Sequence, residues 1–248
     1  MNITQLNILS QLLSSNPNEA KALVKLVSID VLKSLGDAKY SILLENKTVT
    51  AQSDKPLSEG AKYWTQLTQT KDAQPKLSNL VKIPLLFDSL KNSELAYSTK
   101  ELHTLLTSKK PEAMLKQNLL ENLGNAGNKE EFSNASTLLL SLQNNTFTIP
   151  LAFYNSFALL QFKKRYNTKT KKSHIDFYAA LELLGPVSGV ISLDDGQVSV
   201  ELGVAFLKTK NFLEDNLKNL SYNVHITLIE NIEPLYNIKL NSLLDINV

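Results

Sequence analysis

The chain has 248 residues, 43% of them hydrophobic, with a formal net charge of +2. That length suffices for one large or two small domains, and so small a net charge advertises no nucleic-acid or anionic-membrane partner. The absence of cysteine excludes disulfides, thiolate catalysis and cysteine-ligated metals, and it suits both a reducing cytoplasm and an exported protein that needs no disulfide.

Residues 1–26 read as an N-terminal amphipathic helix. Ile3, Leu6, Leu9 and Leu13 fall at helical spacing and Asn16-Pro17 supplies the stop. No basic residue precedes Lys21 and polar residues interrupt the apolar positions, which is not the pattern of a cleavable signal peptide. No stretch approaches the ~18 consecutive apolar residues of a membrane span, so membrane insertion is not expected.

Residues 27–84 read as a small β domain. The runs VSIDVLKSL, KYSILLE, TVTAQ, KYWTQLTQT and KLSNLVKI are separated by Gly36-Asp37, Glu45-Asn46-Lys47, a Pro56–Gly60 link and Lys71-Asp72-Ala73. Short strands with turn signals at that spacing suggest a barrel or sandwich. Trp64, the only tryptophan, is expected in the core or on a hairpin face.

Residues 85–145 switch to helical periodicity and read as a loosely packed helical connector. Leu102, Leu105 and Leu106 form one stripe. Met114, Leu115, Leu119 and Leu120 form another after Pro111, which suits a first helical turn. Gly124-Asn125-Ala126-Gly127 breaks the pattern, and a further helix around 129–142 carries Leu138, Leu139, Leu140 and Leu142.

Residues 146–248 hold the strongest β signals. FTIPLAFYN and SFALLQFKKRY read as a hairpin, NTKTKK as a turn, and HIDFYAAL as an alternating strand with Ile175, Phe177, Ala179 and Leu181 on one face. Asp195-Gly196 between alternating apolar residues signals a two-residue turn. It predicts the pairs Asp194 with Gln197, Leu193 with Val198, Ile191 with Val200, and Gly189 with Leu202, a register that a one-residue slip would destroy. FLKTKNFLEDNLKNL then places Phe206, Leu213, Leu217 and Leu220 on one helical face, and VHITLI closes the module as a strand. The expected class is α+β: a β-barrel-like domain, the connector, then an antiparallel meander with a packed helix.

No catalytic constellation emerges. A nucleophile elbow needs glycine two residues before and after the serine, whereas Ser188 has Pro186 and Val190 there, and alternation makes it an exposed strand residue. Asp194 and Asp195 occupy a wet hairpin tip, where nothing would shift a carboxylate toward acid–base work. His103, His174 and His225 lack metal-ligand spacing, although His174 and His225 fall on the polar faces of strands that look like neighbours. No phosphate-binding glycine loop is present. The chain therefore reads as a non-enzyme with no catalytic residue, no metal and no cofactor.

Charge singles out KKRYNTKTKK, residues 163–172, where Lys163, Lys164, Arg165, Lys169, Lys171 and Lys172 make six basic residues in ten. A solvated hairpin tip accounts for it. An RNA, anionic-lipid or acidic-protein contact is the functional reading.

The run HIDFYAALELLGPVSGVISLDDGQVSVEL, followed by FLEDNLKNL and NVHITLIE, resembles the C-terminal domain of flagellar hook-length control proteins (FliK-type). Leu184-Gly185, Val187, Leu193, Gly196, Val198, Val200, Leu213, Leu217 and Leu220 take the places of that family's apolar and glycine positions, over residues 147–232. Family members carry a proline upstream of the leucine-glycine step, whereas here Pro186 follows it, and the long Pro/Ser-rich half of many members has no counterpart among only 8 prolines.

The resemblance implies a non-enzymatic regulator of flagellar type III export, working by protein–protein contact. It implies a cytoplasmic location, with the chain itself exported without a cleaved signal. Its expected partners are the cytoplasmic domain of the export-gate switch protein, then hook and hook-cap proteins. The candidate partner-binding residues are Leu183, Leu184, Gly185, Val187 and Val190, with the basic residues of 163–172. The alternative is an RNA- or ribosome-associated module using the basic hairpin, although nucleic acid is not the expected partner.

Overall fold

The structure, a computed structural model, describes residues 25–44, 46–69, 75–153, 156–168, 172–194, 196–217 and 223–238. The expected helix at 1–26 lies almost wholly outside them, as do Lys71-Asp72-Ala73, Glu45, Asp195 and Leu220. The architecture is α+β: a closed five-stranded barrel, a set of helices, and a six-stranded sheet.

The barrel comprises β1 (Lys25–Gly36), β2 (Lys39–Leu44), β3 (Lys47–Ser53), β4 (Lys62–Gln69) and β5 (Pro75–Lys82), closed in the order β1-β2-β3-β5-β4. All neighbours are antiparallel except β3 and β5, which meet in parallel at Gln52↔Lys76 and Ser53↔Leu77. Its interior holds Ile29, Val31, Tyr40, Ile42, Ala51, Ala61, Tyr63 and Leu77. The Tyr40 and Tyr63 hydroxyls accept hydrogen bonds from the amides of Leu57 and Ser58, so the β3–β4 link spends two donors on barrel side chains instead of leaving them unpaired.

Strand alternation decides the fate of Trp64. Tyr63 points into the barrel, so its neighbour Trp64 points out of it, yet Trp64 is only 1% exposed. What covers it is the helical region: α1 (Leu85–Leu90), α2 (Thr99–Thr107), α3 (Pro111–Asn125) and α4 (Lys129–Gln143). Trp64 meets Phe87 edge-on at 5.4 Å between ring centroids, and Phe87 meets Phe157 of the sheet in the same way at 5.0 Å. One core cluster joins Trp64, Leu86, Phe87, Leu90, Leu105, Leu115, Leu119, Leu138, Phe157, Leu159 and Tyr178.

The helical region is therefore not a loosely packed connector: it is the middle layer of the largest core. The sequence pattern also overstated the stripes. Leu105, Leu115 and Leu119 are buried, but Leu106 and Leu120 are exposed, because each of these amphipathic helices has only one covered side. Helix α1, six residues after Pro84 with Leu86, Phe87 and Leu90 buried, is too short to show a period.

Helix α2 begins at a capping box: the Ser98 hydroxyl accepts from the Glu101 amide, and the Glu101 carboxylate accepts from the Ser98 amide and hydroxyl. These bonds pull the Glu101 carboxyl below its ordinary pKa. A depressed carboxylate adds stability above its unfolded pKa and loses it as pH falls through the folded value. Ser98→Ala should cost about 1 kcal/mol in a denaturant titration near neutral pH, with a smaller difference from the parent in acid.

The sheet comprises β6 (Phe147–Phe153), β7 (Ser156–Asn167), β8 (Lys172–Leu181), β9 (Gly185–Asp194), β10 (Gln197–Val204) and β11 (Asn223–Leu228), in the order β11-β10-β9-β8-β7-β6. The β9–β10 register follows the turn: Asp194↔Gln197, Leu193↔Val198, Ile191↔Val200 and Gly189↔Leu202. Helix α5 (Leu207–Leu217) carries the chain back so that β11 joins β10 in parallel. Leu213 and Leu217 pack with Val187, Val204 and Ile226. Phe206, expected on that helical face, precedes the helix; it is fully buried and joins the main core. The Tyr97 segment covers the β6 edge, with its amide donating to the Pro150 carbonyl and its carbonyl accepting from the Ala152 amide, both at 2.9 Å.

Candidate functional site

Most candidate residues fall at opposite ends of the sheet, while Val190 lies in the cross-strand row of Lys163 and Asp176. Leu183 and Leu184 lie in the turn between β8 and β9, and the basic residues surround the β7–β8 tip. The ten residues of β8 separate them, about 30 Å at ~3.3 Å per residue.

At the turn end, Leu183 is exposed and Leu184 half-buried, and the Leu184 carbonyl accepts from the Thr209 hydroxyl of α5. Gly185 sits at φ +76° under the Phe206 ring, which approaches to 2.6 Å the point where a Cβ would stand. Val187 is 5% exposed and belongs to the cluster beneath α5. Gly185 and Val187 thus hold the turn against the core, while Leu183 presents surface. Val190 is half-buried on the opposite face of β9 from Val187.

Sequence reasoning passed over Glu182 in the same turn. Its carboxylate accepts from the Phe157 amide at 3.1 Å and pairs with Lys91, and its carbonyl accepts from the Trp64 indole N–H at 3.3 Å. Barrel, helical layer and sheet therefore meet at one residue. Lys62 forms a second clasp, donating to Asp88 of α1 at 2.7 Å with Asp30 at 3.7 Å. The hydrogen bond to Asp88 raises the Lys62 pKa above its ordinary value. No motif announces either clasp, because each joins residues distant in sequence.

At the hairpin end, register sorts the charges. Lys163, Asp176, Val190, Glu201 and His225 form one cross-strand row, so they share a face of the sheet. Arg165 donates to Asp176 at 3.1 Å and His174 lies 3.3 Å from the other carboxylate oxygen. The carboxylate in this basic hairpin thus draws in one of its cations, Arg165, and the His174 imidazole. Lys164 lies on the other face, opposite Ile175. Lys172 is exposed at the start of β8, and Lys169 and Lys171 lie outside the described residues.

Two further expectations change. His174 and His225 are not on neighbouring strands, since β9 and β10 lie between β8 and β11. Ser188 is half-buried rather than exposed, since Ile229 crosses the adjacent Gly203 and closes over that part of the sheet. Among the described residues no group of three His, Asp or Glu side chains is placed to hold a metal ion, and no helix is long and apolar enough to cross a membrane.

The geometry offers surfaces for contact: a leucine turn at one end of the sheet, a basic hairpin at the other, and two faces of different polarity between them. No family model matches the chain, and no curated protein matches it either.

Proposed function

We propose that the chain is a non-enzymatic regulator of flagellar type III export, of the hook-length control kind, acting through protein contacts made by the six-stranded sheet. One observation carries the reading. The residues that resemble the hook-length control domain are one continuous structural unit: Val187, Leu193, Val198 and Val200 in the β9–β10 hairpin, with Leu213 and Leu217 of α5 packed on it. A resemblance spread over unrelated elements would carry less weight.

In this reading the unit binds the cytoplasmic domain of the export-gate switch protein and changes its preference from hook to filament subunits. The exposed Leu183 turn and the basic hairpin are the contacts of choice. The test is deletion of the gene in a motile host, with hooks isolated and measured by electron microscopy. Abnormally long hooks lacking filaments are expected. Normal hook length with normal filaments would refute the assignment.

A further inference from the structure

Cross-strand register divides the sheet into two faces, and near the hairpin tips they differ sharply. One face presents Lys163, Asp176, Val190, Ser192, Ser199 and Glu201. The other presents Phe162, Ile175, Ile191, Leu193, Val198 and Val200, with Ile175, Ile191 and Val200 in one row, Phe162 beside Phe177, and Leu193 opposite Val198. Ile175 is 40% and Leu193 63% exposed, and the other four are half-buried. Among the described residues, none of these six joins either the main core cluster or the cluster under α5. A contiguous apolar strip of this kind marks an interaction surface rather than ordinary scatter.

The shape of the strip follows from strand and helix dimensions. Six strands spaced ~4.8 Å span about 24 Å, whereas packed helices lie 8–10 Å from their neighbours, so one helix covers about two strands. Helix α5 covers the β10–β11 side, with Leu213 and Leu217 over Val204 and Ile226. Its cluster also takes in Val187 of β9 and Phe177 and Ala179 of β8, at the end of the sheet near the β8–β9 turn. The open part of this face is therefore the hairpin-tip end of β7 to β10, with room for a second helix there. A second sheet laid face to face would collide with α5, which already fills that layer; a helix would extend the layer.

The charges define the occupant further. On β7, β8, β9 and β10 the apolar face carries one ionisable cation, Lys164, in the row of Ile175, Ile191 and Val200. No Asp or Glu falls at the alternate positions 160–164, 175–181, 185–193 and 198–204 that share it. Lys163 and Arg165 alternate onto the opposite face, so Lys164 is the cation that the strip itself presents. The strip is therefore apolar along its length and positive at its β7 flank.

We infer that this strip docks an amphipathic α-helix of a partner protein, lying at the hairpin-tip end of the sheet beyond α5, with an apolar stripe on Ile175, Ile191, Leu193 and Val200 and acidic residues on the flank beside Lys164. The inference stands on the sheet's geometry and does not require the export reading.

The test uses the full chain and three synthetic peptides of about 18 residues, roughly five helical turns. One has a leucine stripe flanked by glutamates, one has the same stripe flanked by lysines, and one has the composition of the first with the stripe scrambled. Fluorescence anisotropy titrations should show the glutamate peptide binding about tenfold more tightly than either control. Leu193→Glu should weaken it by tenfold or more, as loss of a buried leucine contact implies. Lys164→Glu should reverse the preference between the charged peptides, and Asn223→Glu, on the opposite face, should leave binding unchanged. Circular dichroism checks that each variant folds, and Leu193→Ser replaces Leu193→Glu if that one does not.

Equal binding of the scrambled peptide, or indifference to the Leu193 and Lys164 substitutions in folded protein, would overturn the inference. So would binding that appears only after residues 1–24 are deleted, or only at dilutions where light scattering shows a dimer dissociating. Those results would give the strip to the chain's own terminus or to a second copy. A positive result with normal hooks in the deletion strain would keep the docking site and remove the export role.

Discussion

Trp64→Ala should cost about 3–5 kcal/mol, the range for truncating a buried large aromatic, and the loss should spread beyond the barrel. The indole stands outside the barrel wall, stacked edge-on with Phe87 and hydrogen-bonded to the Glu182 carbonyl. Its removal leaves a cavity where barrel, helices and sheet meet, and an unpaired carbonyl beside it. Hydrogen exchange should therefore rise in β7 and β8 as well as in β4. Leu77→Ala is the matched control: Leu77 is fully buried inside the barrel, and its loss should raise exchange in the barrel strands while largely sparing the sheet. Trp64→Phe should recover part of the difference, since it keeps a ring against Phe87 and forfeits the second ring's packing and the hydrogen bond, the latter worth about 1 kcal/mol. If the sheet responds equally to Leu77→Ala and Trp64→Ala, the shared-core account is wrong.

Gly189→Ala should be the most damaging single-methyl change in the sheet. A Cβ there would overlap the Glu201 backbone carbonyl on β10 and come within 2.7 Å of the Phe177 ring. A side chain can move aside, but a paired strand can move only by breaking its ladder. A loss of about 1–3 kcal/mol follows from overpacking of this sort, and Phe177→Leu should not rescue it. Gly196→Ala makes the comparison. Its Cβ would enter open space, so only the φ of +81° opposes it, costing about 1–2 kcal/mol; Gly196→Asn should cost less, because asparagine tolerates left-handed backbone. Thermal unfolding should therefore place Gly189→Ala at or below Gly196→Ala in stability, with rescue by a softer neighbour at neither site. Full recovery of Gly189→Ala by Phe177→Leu would show that the ring, not the carbonyl, limits the position.

Local chemistry was readable wherever a feature depends on neighbours in sequence. The Asp-Gly signal in the sequence predicts the register found for eight residue pairs between β9 and β10, because side chains alternate with a period of two and a two-residue turn leaves one pairing that matches apolar with apolar. The five barrel strands and helices α2 to α4 were equally legible from turn residues and periodicity. Phe206 was misassigned because its spacing agrees with the helical stripe of α5, and only Gly185 shows why it turns the other way: the missing Cβ opens a site for its ring.

By itself the sequence determined the strands, the turns, the hairpin register and the α+β class, all of which follow from backbone preferences and alternation within short windows. Tertiary structure alone decided which apolar positions are core and which are surface. Alternation places Val187 and Ile191 on the same face of β9, but α5 reaches only the first, leaving one in the cluster beneath the helix and the other on the open strip. It likewise turned a helical stretch that reads as a connector into the middle of the main core, because Trp64 and Phe157 approach it from segments far apart in the chain. Burial is a property of what arrives from elsewhere, and a local pattern names a face without naming its cover.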